Sequence, residues 1–225
     1  MSIIWRKVWR DLWNNKLRTI LVVLSTAAGV FALGLVFGSS GVMRERMTAS
    51  HQESHSPHLE FYTSRFDDDV VEAMRREPGV SETEGETRTS FQWKRVGEED
   101  WRDGTVIARG DYDEQLMYPI DLLEGAWPDK RELAVERMSS PHYDLPIGAT
   151  VVIKVEDREY HLPITGIARH PYTPPPQINM GNATFIASLE TVAWMIGQDE
   201  GYDTLNVRLD TFSQEGAEEA AERIQ

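Results

Sequence analysis

Cysteine is absent from the 225 residues of this chain. Without cysteine, the protein can form neither a disulfide framework nor a thiolate metal site. Basic residues are also scarce: there are 23 Lys and Arg against 37 Asp and Glu, which gives a formal net charge of −14. Because an acidic surface is repelled by phosphate backbones, nucleic acid is not expected as a partner.

The sequence also lacks the signatures of nucleotide and metal enzymes. It contains no G-x-x-x-x-G-K-[ST] run and no H-E-x-x-H motif. We therefore expect no catalytic residue, no metal and no cofactor in this chain. The densest group of metal-ligand types is His51, His55 and His58, of which the first two could share a helix face. Because Pro57 interrupts that spacing, the segment is interpreted as a polar linker and the histidines as no more than candidates.

What the sequence does contain is a stretch of 25 uncharged residues, 19–43. As a helix rising 1.5 Å per residue, this stretch would be about 37 Å long, which exceeds the roughly 30 Å hydrocarbon core of a bilayer. A secretory signal peptide would have a shorter apolar region that ends in a small-residue cleavage site. The stretch 19–43 is therefore predicted to be an uncleaved transmembrane helix.

Small residues recur within this stretch at the spacing that lets membrane helices approach closely. Ser25 and Gly29 form a small-xxx-small pair, and Gly34 and Gly38 form a G-x-x-x-G pair. We expect these four positions to pack against another helix in the bilayer.

Charge is divided sharply along the chain. Residues 1–43 carry a net charge of +4 and the rest of the chain −18. The positive-inside rule places the N-terminus in the cytoplasm and the acidic domain outside the plasma membrane. Residues 1–18 are predicted to form an amphipathic segment at the interface, with the first turns of one long helix as the alternative. The predicted interface residues are Trp5, Arg6, Lys7, Trp9, Arg10, Trp13, Lys16 and Arg18.

Residues 44–225 alternate between predicted strands and helices, which indicates an α+β domain. Asp67, Asp68 and Asp69 are interpreted as carboxylates at a helix N-terminus rather than as metal ligands. Ser188 is the predicted N-cap of a later helix. Strands are predicted over 59–63, 80–93, 105–109, 149–155, 160–167, 184–187 and 204–209, helices over 67–76, 189–196 and 213–224, and a proline-rich loop over 171–182.

The tryptophans of the outer domain have two interpretations. Trp93, Trp101, Trp127 and Trp194 either fill the core or anchor a partner, and the core is favoured because large aromatic residues dominate protein interiors. His170, close to a predicted strand, is likewise interpreted as a surface or core residue.

Several segments resemble one family. The opening Asn15–Leu21 and the apolar helix after it resemble the start of ABC transporter permeases of the MacB/FtsX type. The runs Leu123–Pro128, Arg131–Glu136 and Leu145–Val151 are similar to the extracytoplasmic core domain of that family, and Ile164–Ala168 is similar to one of its later strands. The resemblance covers most of the chain.

The resemblance implies a particular organisation. Residues 44–225 would be a MacB-like core domain of two subdomains, with ferredoxin-like βαβ parts and a β-rich insertion at about 116–187. The domain would be truncated at its C-terminus, and further membrane helices would follow. The family works as a dimer, so a second permease copy or a paralogue is an expected partner.

The resemblance also implies a mechanism. A cytoplasmic ABC ATPase subunit would bind the ATP, and its hydrolysis would move the outer domain, which exports or releases a substrate. An extracytoplasmic protein is a further candidate partner. Two alternatives stay open: a single-pass, membrane-anchored sensor or adaptor whose outer domain binds a ligand or envelope protein, and an anchored extracytoplasmic enzyme.

Overall fold

The computed structural model describes residues 13, 16, 17, 19–34 and 55–210. Backbone contacts divide the chain into two compact units, 1–53 and 54–225. Some of the residues named above lie outside the described part, and their roles stay predictions. They are Trp5, Arg6, Lys7, Trp9, Arg10, Arg18, Gly38 and His51, together with the predicted helix 213–224.

The first unit contains helix α1, residues 19–34. Its apolar side chains are exposed within the unit, from Ile20 at 54% to Phe31 at 68%. The two hydroxyls bond back into the helix: Ser25 and Thr26 both donate to the backbone oxygen of Val22, at 3.0 and 2.9 Å. The hydroxyl groups of Ser25 and Thr26 are thereby satisfied within the helix itself.

The predicted transmembrane helix is described only in part. Residues 19–34 are helical, whereas 35–43 lie outside the described residues. Among the residues that the structure describes, no helix is both long and apolar enough to span a bilayer. At Gly29 and Gly34, an added Cβ would meet no described atom within 4 Å.

The second unit is a mixed α/β domain. The predicted strands and the predicted helices at Asp67 and after Ser188 are present at these places, whereas β4, β5 and α3 were not predicted. The strands are β1 Leu59–Phe66, β2 Val80–Arg95, β3 Arg102–Arg109, β4 Asp121–Gly125, β5 Leu133–Glu136, β6 Thr150–Val155, β7 Arg158–Arg169, β8 Ala183–Ser188 and β9 Tyr202–Leu209, and the helices are α2 Asp68–Arg75, α3 Ser139–Tyr143 and α4 Leu189–Ile196.

Three strands form what we call the terminal sheet, in the order β1-β9-β2, and all of its pairs are antiparallel. Only the first part of β2, from Val80 to Glu86, belongs to it. Helix α2 contributes the buried Val71 to the core cluster that includes Leu205 and Val207 of this sheet. Because Leu59 pairs with Val207, the start of β1 and the end of β9 lie at the same end of the sheet.

The second part of β2, from residue 87 onward, enters a closed barrel. Around the barrel the order is β2-β3-β8-β5-β7-β6, and β6 pairs again with β2. The pairs β3–β8 and β5–β7 are parallel, and the other four are antiparallel. A 16-residue strand such as β2 is about 53 Å long at 3.3 Å per residue. One continuous strand therefore connects the terminal sheet to the barrel.

Alternating side chains fill the interior of the barrel. Trp93 is fully buried, and its ring meets Phe185 edge-on with 5.3 Å between centroids. The neighbouring positions along β3, β5 and β8 point to the other face, where Ile107, Ala134 and Ile186 form a separate small cluster. A six-stranded barrel is narrow enough for its side chains to close the interior. The predicted β-rich segment 116–187 supplies β4 to β7 and most of β8, while β2 and β3, which precede it, complete the barrel.

Candidate functional site

A buried network of charges lies where β2 passes from the terminal sheet into the barrel. Arg109, the last residue of β3, is 1% exposed and donates from Nη2 and Nε to Oε2 of Glu86, at 2.8 and 3.1 Å. Its Nη1 donates to Oε1 of Glu84 at 3.2 Å. Glu86, also 1% exposed, accepts from Arg88 Nη2 at 2.9 Å. Two basic and two acidic groups thus balance one another, with Arg109 and Glu86 buried and Arg88 at the surface.

The same arginine fixes the loop between β3 and β4. Arg109 donates from Nη1 to the backbone oxygen of Met117 at 2.8 Å and from Nη2 to that of Tyr118 at 3.3 Å. Oε2 of Glu84 accepts the backbone N–H of Met117 at 2.7 Å. Gln115 closes the loop, since its amide bonds the backbone of Ile120 in both directions. The loop therefore cannot move unless charged groups lose their partners.

The two carboxyl groups respond to burial in opposite ways. Burial alone would raise the pKa of Glu86, but the guanidinium groups of Arg109 and then Arg88 outweigh burial and hold that pKa below its ordinary value of 4.5. Burial raises the pKa of Glu84, and the guanidinium of Arg109 offsets this only in part. Glu86 is therefore the acid that holds the negative charge opposite Arg109.

His170 lies against this network, directly after β7, and is 4% exposed. Its Nδ1 accepts the backbone N–H of Tyr172 at 3.2 Å, so the proton of the neutral ring sits on Nε2. No described residue accepts a hydrogen bond from that Nε2. Burial lowers the pKa of His170 to about 4; Glu86 opposes the shift, and Arg88 and Arg109 reinforce it.

Two tyrosines connect this region to the segment that leads into β1. The rings of Tyr118 and Tyr172 meet edge-on, with 4.8 Å between centroids. The hydroxyl of Tyr172 lies 3.1 Å from Oγ of Ser56. The hydroxyl of Tyr118 hydrogen-bonds Glu60 and Ser56, and its pKa is raised by burial and by the Glu60 carboxylate. We call these four residues, Ser56, Glu60, Tyr118 and Tyr172, the clasp.

The clasp and the Arg109 network are connected through the loop between β3 and β4. The clasp holds the segment that begins the domain, and the Arg109 network holds the loop that carries Tyr118. Buried charges permit few alternative positions, because any displacement leaves a charge unpaired in a low-dielectric interior. A displacement of residues 55–60 would therefore break contacts of the clasp or of the buried network.

One family model accounts for this chain. The model of the MacB-like periplasmic core domain matches residues 19–225, which include both α1 and the domain. This chain belongs to that family. The predicted resemblance to MacB-type proteins is thereby confirmed. No curated protein matches the chain.

Solved structures similar to this MacB-like core domain are distant in sequence. The extracellular domain of the noncanonic ABC-type transporter YknZ from Gram-positive bacteria is 12% identical, covers 72% of this chain and 86% of its own, and has a TM-score of 0.48. The periplasmic region of MacB from Actinobacillus actinomycetemcomitans is 10% identical over 74% of each chain, with a TM-score of 0.47. A domain of a putative permease protein from Porphyromonas gingivalis is 17% identical, covers 74% of this chain and 78% of its own, and has a TM-score of 0.46.

The predicted site residues are not gathered at the clasp of this MacB-like domain. His58 uses Nδ1 to accept the backbone N–H of Leu209 at 3.0 Å. His55 belongs to the same segment, and within the described residues no group of three ligand-type side chains could hold a metal ion. In the first unit, Lys16 lies over the Trp13 ring at 5.2 Å from its centroid.

The three aspartates at the start of α2 have different roles. Asp67 occupies the N-cap position, but its side chain makes no capping hydrogen bond. Asp68 and Asp69 lie in the first turn, where the helix dipole favours negative charge. Asp68 also accepts a hydrogen bond from the Tyr202 hydroxyl at 3.0 Å. The run thus stabilises the helix through its first turn and through a tertiary contact rather than through a capping bond from Asp67.

The tryptophans of the MacB-like domain differ in burial: one is fully buried, and the other three are half-buried. Trp93 is fully buried in the barrel. Trp127 stacks on Tyr112 at 4.5 Å, and Trp194 meets Tyr160 at 4.6 Å. Trp101 is half-buried beneath the ammonium group of Lys94, 4.3 Å from its ring centroid.

Proposed function

We propose that this chain is part of the permease subunit of an ABC transporter of the MacB/FtsX type. In this proposal, residues 19–43 cross the plasma membrane and the N-terminus is cytoplasmic. The domain lies outside and couples ATP hydrolysis by a partner ATPase to the export or release of a substrate. The observation that carries the proposal is the family match, which runs without interruption from α1 through the outer domain.

The ends of the domain support this role. The backbone N–H of His58 donates to the backbone oxygen of Val207 at 2.8 Å, so the chain enters and leaves the terminal sheet at one point. A domain held between membrane helices needs both of its ends on the side of the membrane. Movements of those helices would then act on β1 and β9 together, and β2 would carry the displacement into the barrel.

The anchor is supported by charge and by exposure. The apolar side chains of α1 are exposed within their unit, so lipid or another helix must cover them to keep them from water. Five basic residues precede the uncharged stretch, whereas the domain is acidic. The proposed orientation puts the basic end at the anionic cytoplasmic leaflet. Ser25, Gly29, Gly34 and Gly38 are the positions at which a further helix would pack.

The chain itself carries no ATP site in this proposal. The sequence contains no phosphate-binding loop, so the ATP belongs to the cytoplasmic partner subunit and the permease contributes no catalytic residue or cofactor. A second permease copy or a paralogue completes the dimer. The sensor or adaptor alternative requires none of these partners, which gives a direct means of separating the two.

Copurification tests the proposal. The complete permease, tagged and extracted from its own cells in mild detergent, is expected to retain an ABC ATPase, and ATP hydrolysis by the complex should exceed that of the ATPase alone. Residues 1–225 contain no cysteine, so topology can be measured on the same protein with single-cysteine variants once any cysteine in the rest of the permease is replaced by serine. In intact cells a membrane-impermeant maleimide should label Glu99→Cys and leave Ser2→Cys unlabelled. Recovery of the permease without any ATPase would favour the sensor or adaptor instead.

A further inference from the structure

We propose that His170 is an acid-operated latch, whose protonation releases Tyr172 and with it the clasp on residues 55–60. The latch would regulate the coupling proposed above and depends on that function for its role, although its chemistry rests on the structure of the domain alone.

The geometry of the ring explains why a second proton breaks the latch. In the neutral ring Nε2 carries the proton and Nδ1 accepts the N–H of Tyr172 at 3.2 Å. A further proton can go only to Nδ1. Two N–H groups would then face each other, and the hydrogen bond that fixes Tyr172 would be lost. The backbone at Tyr172 must move for the imidazolium ring to find an acceptor.

The surroundings of His170 do not favour its cation in the closed form. The charged groups that face it are Glu86 and Arg88 from β2 and Arg109 from β3. Glu86 already accepts two hydrogen bonds from Arg109, so its negative charge is already balanced by that guanidinium group. The Tyr118 ring, 6.2 Å away between centroids, closes another side. A charged ring therefore has to leave this position to be stabilised by water.

The position of His170 connects its protonation to the clasp. Tyr172 lies two residues beyond His170, and its hydroxyl meets Oγ of Ser56 at 3.1 Å. Its ring also supports Tyr118, which hydrogen-bonds Glu60 and Ser56. When the backbone at Tyr172 shifts, both tyrosines lose their contacts with the segment that leads into β1. Acid would therefore loosen the segment through which the domain receives motion.

The expected pH dependence follows from linkage. The closed ring has a pKa of about 4, and the released ring returns to the ordinary value of 6.5. The released form binds protons more readily, so its population is lowest above pH 6.5 and rises as the pH falls towards 4. Between pH 7.5 and pH 5 the population of the released form should increase roughly 30-fold.

Hydrogen exchange followed by mass spectrometry can measure this on the complete permease in detergent. Pro171, Pro174, Pro175 and Pro176 have no amide hydrogen, so a peptide over 171–176 reports only Tyr172 and Thr173. A second peptide over 54–60 reports the clasp. With rates corrected for intrinsic pH dependence, both peptides should lose protection by roughly 30-fold between pH 7.5 and pH 5.

His170→Asn is the matched control. Its side-chain oxygen can accept the Tyr172 N–H but cannot titrate, so both peptides should stay protected at pH 5. Equal loss of protection in His170→Asn and in the natural protein would overturn the proposal, as would an unchanged pattern in the natural protein. Loss confined to 171–176 would overturn the connection to the clasp. If the latch proposal is wrong, the permease should still copurify with its ATPase at pH 7.5. That result distinguishes failure of the latch proposal from failure of the proposed function.

Discussion

Arg109→Met is expected to destabilise the domain by about 3–5 kcal/mol, because removal of one partner leaves a buried carboxylate without compensation. Glu86 would lose both hydrogen bonds from the guanidinium, and the backbone oxygens of Met117 and Tyr118 would lose their donor. The free energy of unfolding can be measured by urea titration of the purified permease, with tryptophan fluorescence as the signal. The loop between β3 and β4 should also become accessible to protease.

Arg169→Met is the matched control for Arg109→Met. Arg169 also ends a strand and bonds a carboxylate, since its Nη2 lies 2.6 Å from Oδ2 of Asp121, but the two side chains are 54% and 48% exposed. An exposed pair of this kind contributes at most about 1 kcal/mol. If Arg109→Met cost no more than Arg169→Met, the buried network would not be what holds β2, β3 and the loop together.

Between pH 6.5 and pH 4, His170 is expected to lower the free energy of unfolding of the domain by about 3 kcal/mol. Its pKa is lowered from 6.5 to about 4 in the folded state. The unfolded chain therefore takes up the proton first, so this contribution is fully present above pH 6.5 and is lost as the pH falls through the window. Urea titrations at half-unit steps of pH would show the slope.

Other acids act in the lower part of the same window, so the contribution of His170 must be measured as a difference. Glu84 and Glu136 have raised pKa values, which stabilise the folded state as the pH falls towards their range. The lowered pKa of Glu86 acts in the opposite direction, below 4.5. His170→Asn keeps all three groups and removes only the imidazole. Parallel curves for His170→Asn and the natural protein would contradict the assignment.

Much of the fold could be predicted from local sequence patterns. Alternating side chains indicate β6 and β7, and the charged turn between them predicts their hairpin, which the antiparallel register confirms. Ser188 caps α4 as predicted, since its side chain accepts the N–H of Thr191. These features depend on neighbours a few residues apart. The family resemblance was predictable for the same reason, because its motifs are contiguous.

The features that escaped prediction depend on long-range contacts. Strand β5 is only four residues long, and all of them are buried, so it shows no alternation. Helix α3 begins at Ser139, and its N-cap residue, Met138, makes no side-chain capping bond. The strand predicted over 80–93 is present as β2, but its division between two sheets is set by its partners β9, β3 and β6, not by its own residues.

The candidate site was not predictable for the same reason. Arg109 and Glu86 are 23 positions apart, and Tyr172 and Ser56 are 116 positions apart. Each belongs to a segment whose polar residues are typical of exposed strands and loops. Only the closing of the barrel against the terminal sheet buries these charges together. The only indication in the sequence was a negative one, because it contains no catalytic or metal-binding motif that would place the site elsewhere.

The proposed function requires that ATP turnover in the cytoplasm moves this domain on the other side of the membrane. Residues 1–225 contain no cysteine, so, with any cysteine elsewhere in the transporter replaced by serine, one spin label at Glu99→Cys on each of two copies can report the distance between their outer domains. We expect the distance distribution measured by pulsed electron resonance to differ between the nucleotide-free and the ATP-trapped complex. Identical distributions in the two states, with ATP binding verified on the same sample, would contradict it.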